Sequence, residues 1–328
     1  MRQALDRAIH AALPGTHERT ELDRFHSLIR DYPMRGGKRL RGLLTLLAAG
    51  AHGSDWHRAV DTAAALELFQ NWVLIHDDIE DDSLMRRDRP ALHRIAGMPI
   101  ALNVGDALHA YMWRLVWRAA HPLPKGRELV DEFLTLVHRT AEGQHLELSW
   151  IDQDRWDVSE SDYLAMVTLK TAYYTVVAPL RLGARLAGLE PDPRFESAGT
   201  KLGVAFQVRD DVLNLLPGTG YGKEFAGDLL EAKRTLILTH ALRHAAEAER
   251  AELVGRLRKP RGDKTDDDVQ FVLDSIARHQ SLDYAQRIAE EHAQAGLELL
   301  EQALVGLSGR VCAGELMRLV ETLASRSQ

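Results

Sequence analysis

Cysteine is nearly absent: Cys312 is the one example in 328 residues. A single thiol excludes an intrachain disulfide framework and a cysteine-rich zinc site, and it is compatible with a reducing compartment. Long apolar runs are missing too. The stretch MRQALDRAIHAALPG lacks the unbroken hydrophobic region of a signal peptide, and no window approaches the roughly 18–20 apolar residues of a membrane span. These absences predict a soluble, cytoplasmic protein with no stable membrane insertion. Positive charge is not in excess either. A formal net charge of -7 argues against nucleic acid as a main partner, and any anionic substrate must be met by local cations. Alternating β-branched segments joined by Asn-Gly turns are lacking, so hairpin sheets are not expected.

What the sequence does have is helical periodicity. Segments 56–76, 100–119, 128–148, 194–216 and 284–307 place apolar residues three and four apart. Breaks fall at 14–15, 121–127, 188–194, 217–228 and 259–268, where Gly and Pro gather. Composition hardly shifts across them, so they punctuate helices rather than separate domains. The expectation is an all-α fold: one helical domain over residues 1–328, arranged as a bundle that can enclose a cavity.

Two acidic clusters stand out. LIHDDIEDDS carries Asp77, Asp78, Glu80, Asp81 and Asp82 at the end of an apolar run. Asp77 and Asp81 are four apart, so on a helix they share a face, with Cβ atoms about 5–6 Å apart. Like charges at that spacing repel unless a cation bridges them, and hard oxygen donors without sulfur suit Mg²⁺, which commonly links carboxylates to phosphate oxygens. A solvated helix end has the same composition. A metal phosphohydrolase built on His76-Asp77 with His26, His52, His57 or His93 is another option, but it leaves four further acids unexplained. In the second cluster, KLGVAFQVRDDVLNLL, residues Gln207, Asp210, Asp211 and Asn214 form one stripe on an otherwise apolar helix. Two such stripes can face each other across a bundle cavity, because a buried carboxylate pair needs a metal or a cation.

Cations alternate with these acids along the chain. RGGKRLRG supplies Arg35, Lys38, Arg39 and Arg41 around two glycines that let a backbone approach a phosphate. It is not a nucleotide P-loop, since the spacing differs. Arg86-Arg87, Lys170, Lys223 and Lys233 follow later. Each alone reads as a surface cation. Together with the acids they make a diphosphate site, with metal ions mediating on one side and Lys or Arg in contact on the other.

These elements, taken in order, resemble the trans-isoprenyl diphosphate synthase (polyprenyl synthetase) family over roughly residues 30–245. GGKRLRG, DDIED, MRRDRPALH, NVGDALHA, EGQHLEL, LKTAYYT, AFQVRDDVLN and YGKEFAGDLLEAKRTL are similar to eight family landmarks. The resemblance implies an isoprenoid-synthase-type bundle with a central active-site cavity. It implies a Mg²⁺-dependent prenyltransferase that joins isopentenyl diphosphate to an allylic diphosphate, working as a homodimer. Asp77, Asp81 and Asp210 would be metal ligands, supported by Asp78, Asp211 and Asn214. Arg86, Lys170, Gln207, Lys223 and Lys233 would hold the allylic diphosphate, and Gly37, Lys38, Arg41, Gln70 and Arg87 the isopentenyl diphosphate. Thr171 would steady the developing cation, and released diphosphate would take the final proton.

Several positions depart from the family pattern. Asn214 and Glu147 stand where many members have Asp, Asp88 where Gly is usual, and Gln70 where His is frequent. Trp72 and Val73, five and four residues before Asp77, lie where the family commonly blocks elongation. Trp72 is expected to limit products to C15, with C20 next and C10 less favoured, unless its ring is simply core packing. The remaining alternatives are a non-catalytic subunit of a heteromeric synthase and a class I terpene cyclase. The complete GGKRLR element disfavours the cyclase, which has no isopentenyl diphosphate to hold.

Overall fold

The computed structural model describes residues 1–216 and 224–324. Its helices are α1 (Arg2–Ala12), α2 (Thr20–Met34), α3 (Leu40–Ala51), α4 (Val60–Glu80), α5 (Leu92–Ala96), α6 (Met98–Ala120), α7 (Gly126–Asp152), α8 (Glu160–Val167), α9 (Ala178–Leu186), α10 (Pro193–Asn214), α11 (Gly227–Leu230), α12 (Leu236–His244), α13 (Glu247–Leu257), α14 (Asp266–Arg278), α15 (Ser281–Leu304) and α16 (Arg310–Ala324). All five segments with helical periodicity are helical over most of their length, and the breaks at 121–127 and 188–194 fall between helices; most of the break at 217–228 lies outside the described residues. At one break, Asp192 caps α10 by accepting the Arg194 N–H at 2.8 Å, and Pro193 opens the first turn. None of the described helices is long and apolar enough to cross a membrane.

Helix α4 is buried on nearly every side. Residues 62–71 are all buried, and the helix packs against α1, α3 and α6. A helix apolar all round belongs at the centre of a large fold. Helix α10 is the second pillar, packed on α15 and on a π-helical segment, Thr168–Val177, that joins α8 to α9. Glycines allow that approach. A Cβ at Gly203 would lie 2.4 Å from the Ala172 Cα, and one at Gly143 on α7 would lie 2.2 Å from the Lys170 backbone nitrogen. Any side chain at either position would push the segment that carries Lys170 off its neighbours.

The expectation of no hairpin is corrected on a small scale: Met85–Arg86 pairs antiparallel with Arg89–Pro90. Both turn residues, Arg87 (φ 53°) and Asp88 (φ 59°), are left-handed, as the commonest two-residue hairpin turn requires. This explains Asp88 in a place where Gly is usual, since Asp tolerates positive φ better than most side chains. Asp88 itself is exposed.

Candidate active site

A cavity of about 710 Å³ opens between α4, α7, the π-helical segment and α10. Asp77 and Lys170 line it together with Gln207, Asp210 and Asp211, so the two acidic stripes share one space.

On α4 the aspartates divide. Asp77 sits between two cations, with Lys170 Nζ 3.2 Å from Oδ1 and Arg86 Nη2 3.4 Å from Oδ2. Asp78 turns away and is fully buried. It accepts the Tyr32 hydroxyl and a bidentate contact from Arg86, whose Nε lies 2.9 Å and 3.1 Å from its oxygens. Tyr32 is steadied in turn by the Leu92 N–H, which donates to its hydroxyl at 3.1 Å. Asp81 does not line the main cavity. It is held 2.6 Å from Lys233 Nζ in a smaller recess shared with Asn214, Asp228 and Glu231. Burial drives its pKa up to about 7 against the pull of Lys233.

On α10 both Asp210 and Asp211 border the cavity, and the inner of the two is again held by a tyrosine. Asp211 is buried and accepts the Tyr163 hydroxyl at 2.6 Å and the Gln207 amide at 2.7 Å. Burial, then the charge of Asp228, pushes its pKa up to about 8. The Gln207 carbonyl accepts the Thr171 hydroxyl at 2.9 Å, which ties α10 to the π-helical segment. Asn214 departs from the expected stripe. It is buried off the main cavity, and its side-chain oxygen accepts the Asp228 N–H at 3.1 Å. Its work is to hold the turn that brings Asp228 to the cavity wall.

Lys170 is bonded to Glu147 on α7 as well as to Asp77. Burial alone would lower its pKa, but these two carboxylates raise it above the ordinary lysine value, so the ammonium stays charged. Glu147 therefore acts as the lysine's anchor, and its extra methylene relative to Asp reaches across from α7. Lys233 is charged for the same reason, between Asp81 and Glu231.

Another part of the lining is basic. Arg41 donates to the Thr175 hydroxyl at 2.8 Å and lies 4.5 Å over the Tyr174 ring. Arg87 is held by the carbonyls of Tyr32 and Gly36, at 2.8 Å and 2.9 Å, and its guanidinium lies beside Gly37. Burial, and then neighbouring Arg39 and Arg86, lower its pKa to about 10. Gln70 lines the cavity too, and its buried Oε1 has no hydrogen-bond partner among the described residues. Lys38 is exposed and lies outside the cavity lining, because the left-handed Arg39 that starts α3 turns it outward while Arg39 itself is buried against Asp6. Lys223 lies outside the described residues.

Phe69, Trp72, Val73 and His76 continue the lining along α4. Trp72 is both cavity wall and packing residue, since its ring stacks on His109 of α6. Sequence reasoning missed Tyr32, Tyr163 and Asp228. The tyrosines lie 46 and 48 residues from their aspartates, so spacing along the chain gives no signal for them.

Among the described residues no three His, Cys, Asp or Glu side chains converge as metal ligands; the carboxylates are drawn to Lys170, Lys233 and Arg86 instead. The donors still fit a hard divalent cation. They are oxygens without sulfur, with Asp77, Asp210 and Asp211 on one cavity, and a bound cation would oppose the burial and the Asp228 charge that raise the Asp211 pKa.

Residues 23–276 match the family model for polyprenyl synthetase. The chain belongs to that family. A short chain isoprenyl diphosphate synthase of Methanothermobacter thermautotrophicus is 34% identical over 81% of this chain and 80% of its own. A geranylgeranyl diphosphate synthase of Sulfolobus acidocaldarius is 34% identical over 81% of each chain. Among solved structures, the polyprenyl synthase of Caulobacter crescentus complexed with calcium and isoprenyl diphosphate superposes with a TM-score of 0.84 at 28% identity, covering 100% of this chain and 95% of that one. Other relatives carry the names geranylfarnesyl and octaprenyl diphosphate synthase. The family and the helical-bundle fold expected from the sequence are thus established, and the chain is a prenyl-transferring enzyme of class 2.5.1.

Proposed function

We propose that this enzyme is a Mg²⁺-dependent synthase that condenses isopentenyl diphosphate with an allylic diphosphate, with residues 1–328 acting as one domain in a cytoplasmic homodimer. The observation that carries this is the shared cavity: Asp77 from α4 and Asp210 from α10 line it together with Arg41, Arg87 and Gln70. A lining that offers both carboxylates and cations suits two diphosphates bound in different ways.

Asp77, Asp81 and Asp210 are the carboxylates assigned to Mg²⁺, which when bound would neutralise the leaving diphosphate. Lys170 and Lys233 present fixed positive charge to the same group, and Gln207 orients it. Arg86 contributes through Asp77 and Asp78, whose positions it sets. Breaking the allylic C–O bond leaves a carbocation, and the Thr171 hydroxyl oxygen, oriented by Gln207, places a dipole near it. Charges fixed in advance are often the largest catalytic term, about 3–4 kcal/mol for a single donor. Arg41, Arg87, Gln70 and the backbone at Gly37 hold the isopentenyl diphosphate so that its double bond faces the cation, and this positioning supplies much of the remaining acceleration. Lys38, turned outward, is left out of this set.

The Trp72 indole limits chain growth in this proposal, giving C15 as the main product and C20 next. The names of the relatives span longer products, so product sizing is the deciding measurement. Labelled isopentenyl diphosphate is incubated with dimethylallyl, geranyl or farnesyl diphosphate, in Mg²⁺ and in EDTA. The expected result is EDTA-sensitive incorporation ending at C15 or C20. No incorporation with any primer would favour a non-catalytic subunit, and a cyclic hydrocarbon made from one prenyl diphosphate would favour a cyclase.

A further inference from the structure

The Trp72 indole is held in an unusual way. Its ring nitrogen is buried with no hydrogen-bond partner among the described residues, although a buried indole N–H ordinarily finds one. Ring contacts alone therefore set its orientation. Phe69 and His76, both on α4, meet it edge-on at centroid distances of 5.5 Å and 5.9 Å and interplanar angles of 78° and 77°. Only His109, from α6, lies face to face with it, at 4.1 Å and 19°.

His109 is itself fixed. Trp113, one turn further along α6, donates its indole N–H to His109 Nε2 at 2.8 Å. An indole nitrogen can only donate, so Nε2 must accept, and the imidazole is neutral with its proton on Nδ1. Trp113 rests against Phe133 of α7, 6.5 Å away at 60°. The indole at the cavity is thus backed by a relay of rings running from α7 through α6 to α4.

We infer that His109 is a specificity-determining positioning residue, whose imidazole holds the Trp72 indole across the cavity and so sets where the growing chain stops. The inference rests on the assignment of Trp72 as the barrier made above. Without the stack, the indole keeps its edge-on contacts with Phe69 and His76 but has no polar anchor among the described residues and no ring lying parallel to it, so its orientation across the cavity is less constrained. His109 does not line the cavity, so its effect on product length must pass through Trp72.

Product sizing on five variants tests this. His109→Ala is expected to raise the ratio of longer to shorter products about tenfold, the size of one aromatic stacking contact, while kcat/KM for the first condensation is kept. His109→Phe restores the planar face and the wild-type product. His109→Leu fills the space without a face and behaves like His109→Ala. In the Trp72→Ala background, His109→Ala adds nothing. An unchanged product with Trp72→Ala would sink the barrier assignment itself. Lengthening by Trp72→Ala with no change from His109→Ala, or an additive change in the double variant, would overturn the role of His109 alone. Should His109→Ala fail to fold, the Phe and Leu variants decide, and identical products from those two would overturn it.

Discussion

In both acidic rows a neighbouring pair of aspartates divides the work. Asp77 and Asp210 line the cavity, while Asp78 and Asp211 are buried and each accept a tyrosine hydroxyl from a distant helix, Tyr32 and Tyr163; Asp78 lies off the cavity, whereas Asp211 still borders it. The two rows then part. Asp78 also receives Arg86, a full positive charge, in bidentate contact. Among the described residues Asp211 receives the neutral Tyr163 and Gln207, and it sits in the field of Asp228. Asp78 is thus met by the protein's own cation, whereas burial and a neighbouring carboxylate oppose ionisation of Asp211. Similar geometry therefore hides different energetics, and a cation added at the cavity would favour the ionised form of Asp211.

The largest effect tests what the rows share. Asp77→Ala and Asp210→Ala should each lower kcat/KM by about 10²–10³, the scale of losing one fixed electrostatic element in a dry site. A large loss for one and none for the other, in steady-state assays with saturating Mg²⁺, would mean that only one row meets the diphosphate.

Next comes the contrast between the inner aspartates. Asp78→Asn keeps the shape but leaves Arg86 buried without its partner, and about 3–5 kcal/mol of stability should go in urea unfolding. Asp211→Asn replaces a carboxyl that burial and Asp228 keep protonated up to about pH 8, and should change stability little at neutral pH in EDTA. Equal losses from both would dissolve the distinction between the rows.

The pH dependence sharpens it further. The Asp211 pKa rises from 3.8 to about 8 on folding. Between those values the folded chain keeps a proton that the unfolded chain releases, so stability in EDTA falls as pH rises through this window. Asp81, raised to about 7, acts in the same direction. Mg²⁺ binding opposes the loss, so the gain in Tm on adding Mg²⁺ should be larger at pH 8 than at pH 5, and Asp211→Asn should reduce that difference. A gain independent of pH would show that the charge on Asp211 is already balanced.

Much of this was legible in the sequence because it repeats along the chain. Apolar residues at helical spacing located α4, α6, α7, α10 and α15, and adjacent aspartates announced the two rows. What a spacing argument cannot reach is a partner from another helix. Tyr32 and Tyr163 look like ordinary core aromatics until the fold brings them to Asp78 and Asp211. The close seating of 168–177 needs Gly143 and Gly203 in other helices, and the exposure of Lys38 beside a buried Arg39 has no signature in the spacing. The stripe on α10 was read one residue too far, since helical spacing puts Asn214 in line with Asp210 while the chain's fold-back at Ala226–Asp228 covers it.

Asn214 supplies the smallest expected effect. An aspartate there could accept the Asp228 N–H through one carboxylate oxygen as the amide does now, so the turn should survive Asn214→Asp and activity should remain. The new carboxylate would join Asp211 and Asp228, whose mutual repulsion already raises the Asp211 pKa. The variant should therefore lose on the order of 1 kcal/mol at pH 8 in EDTA and recover it in Mg²⁺, while showing little change at pH 5, where the added proton is shared within the cluster. A loss of the same size at both pH values would trace the cost to the turn rather than to charge, and the α10 row would then be no more dependent on an outside cation than the α4 row.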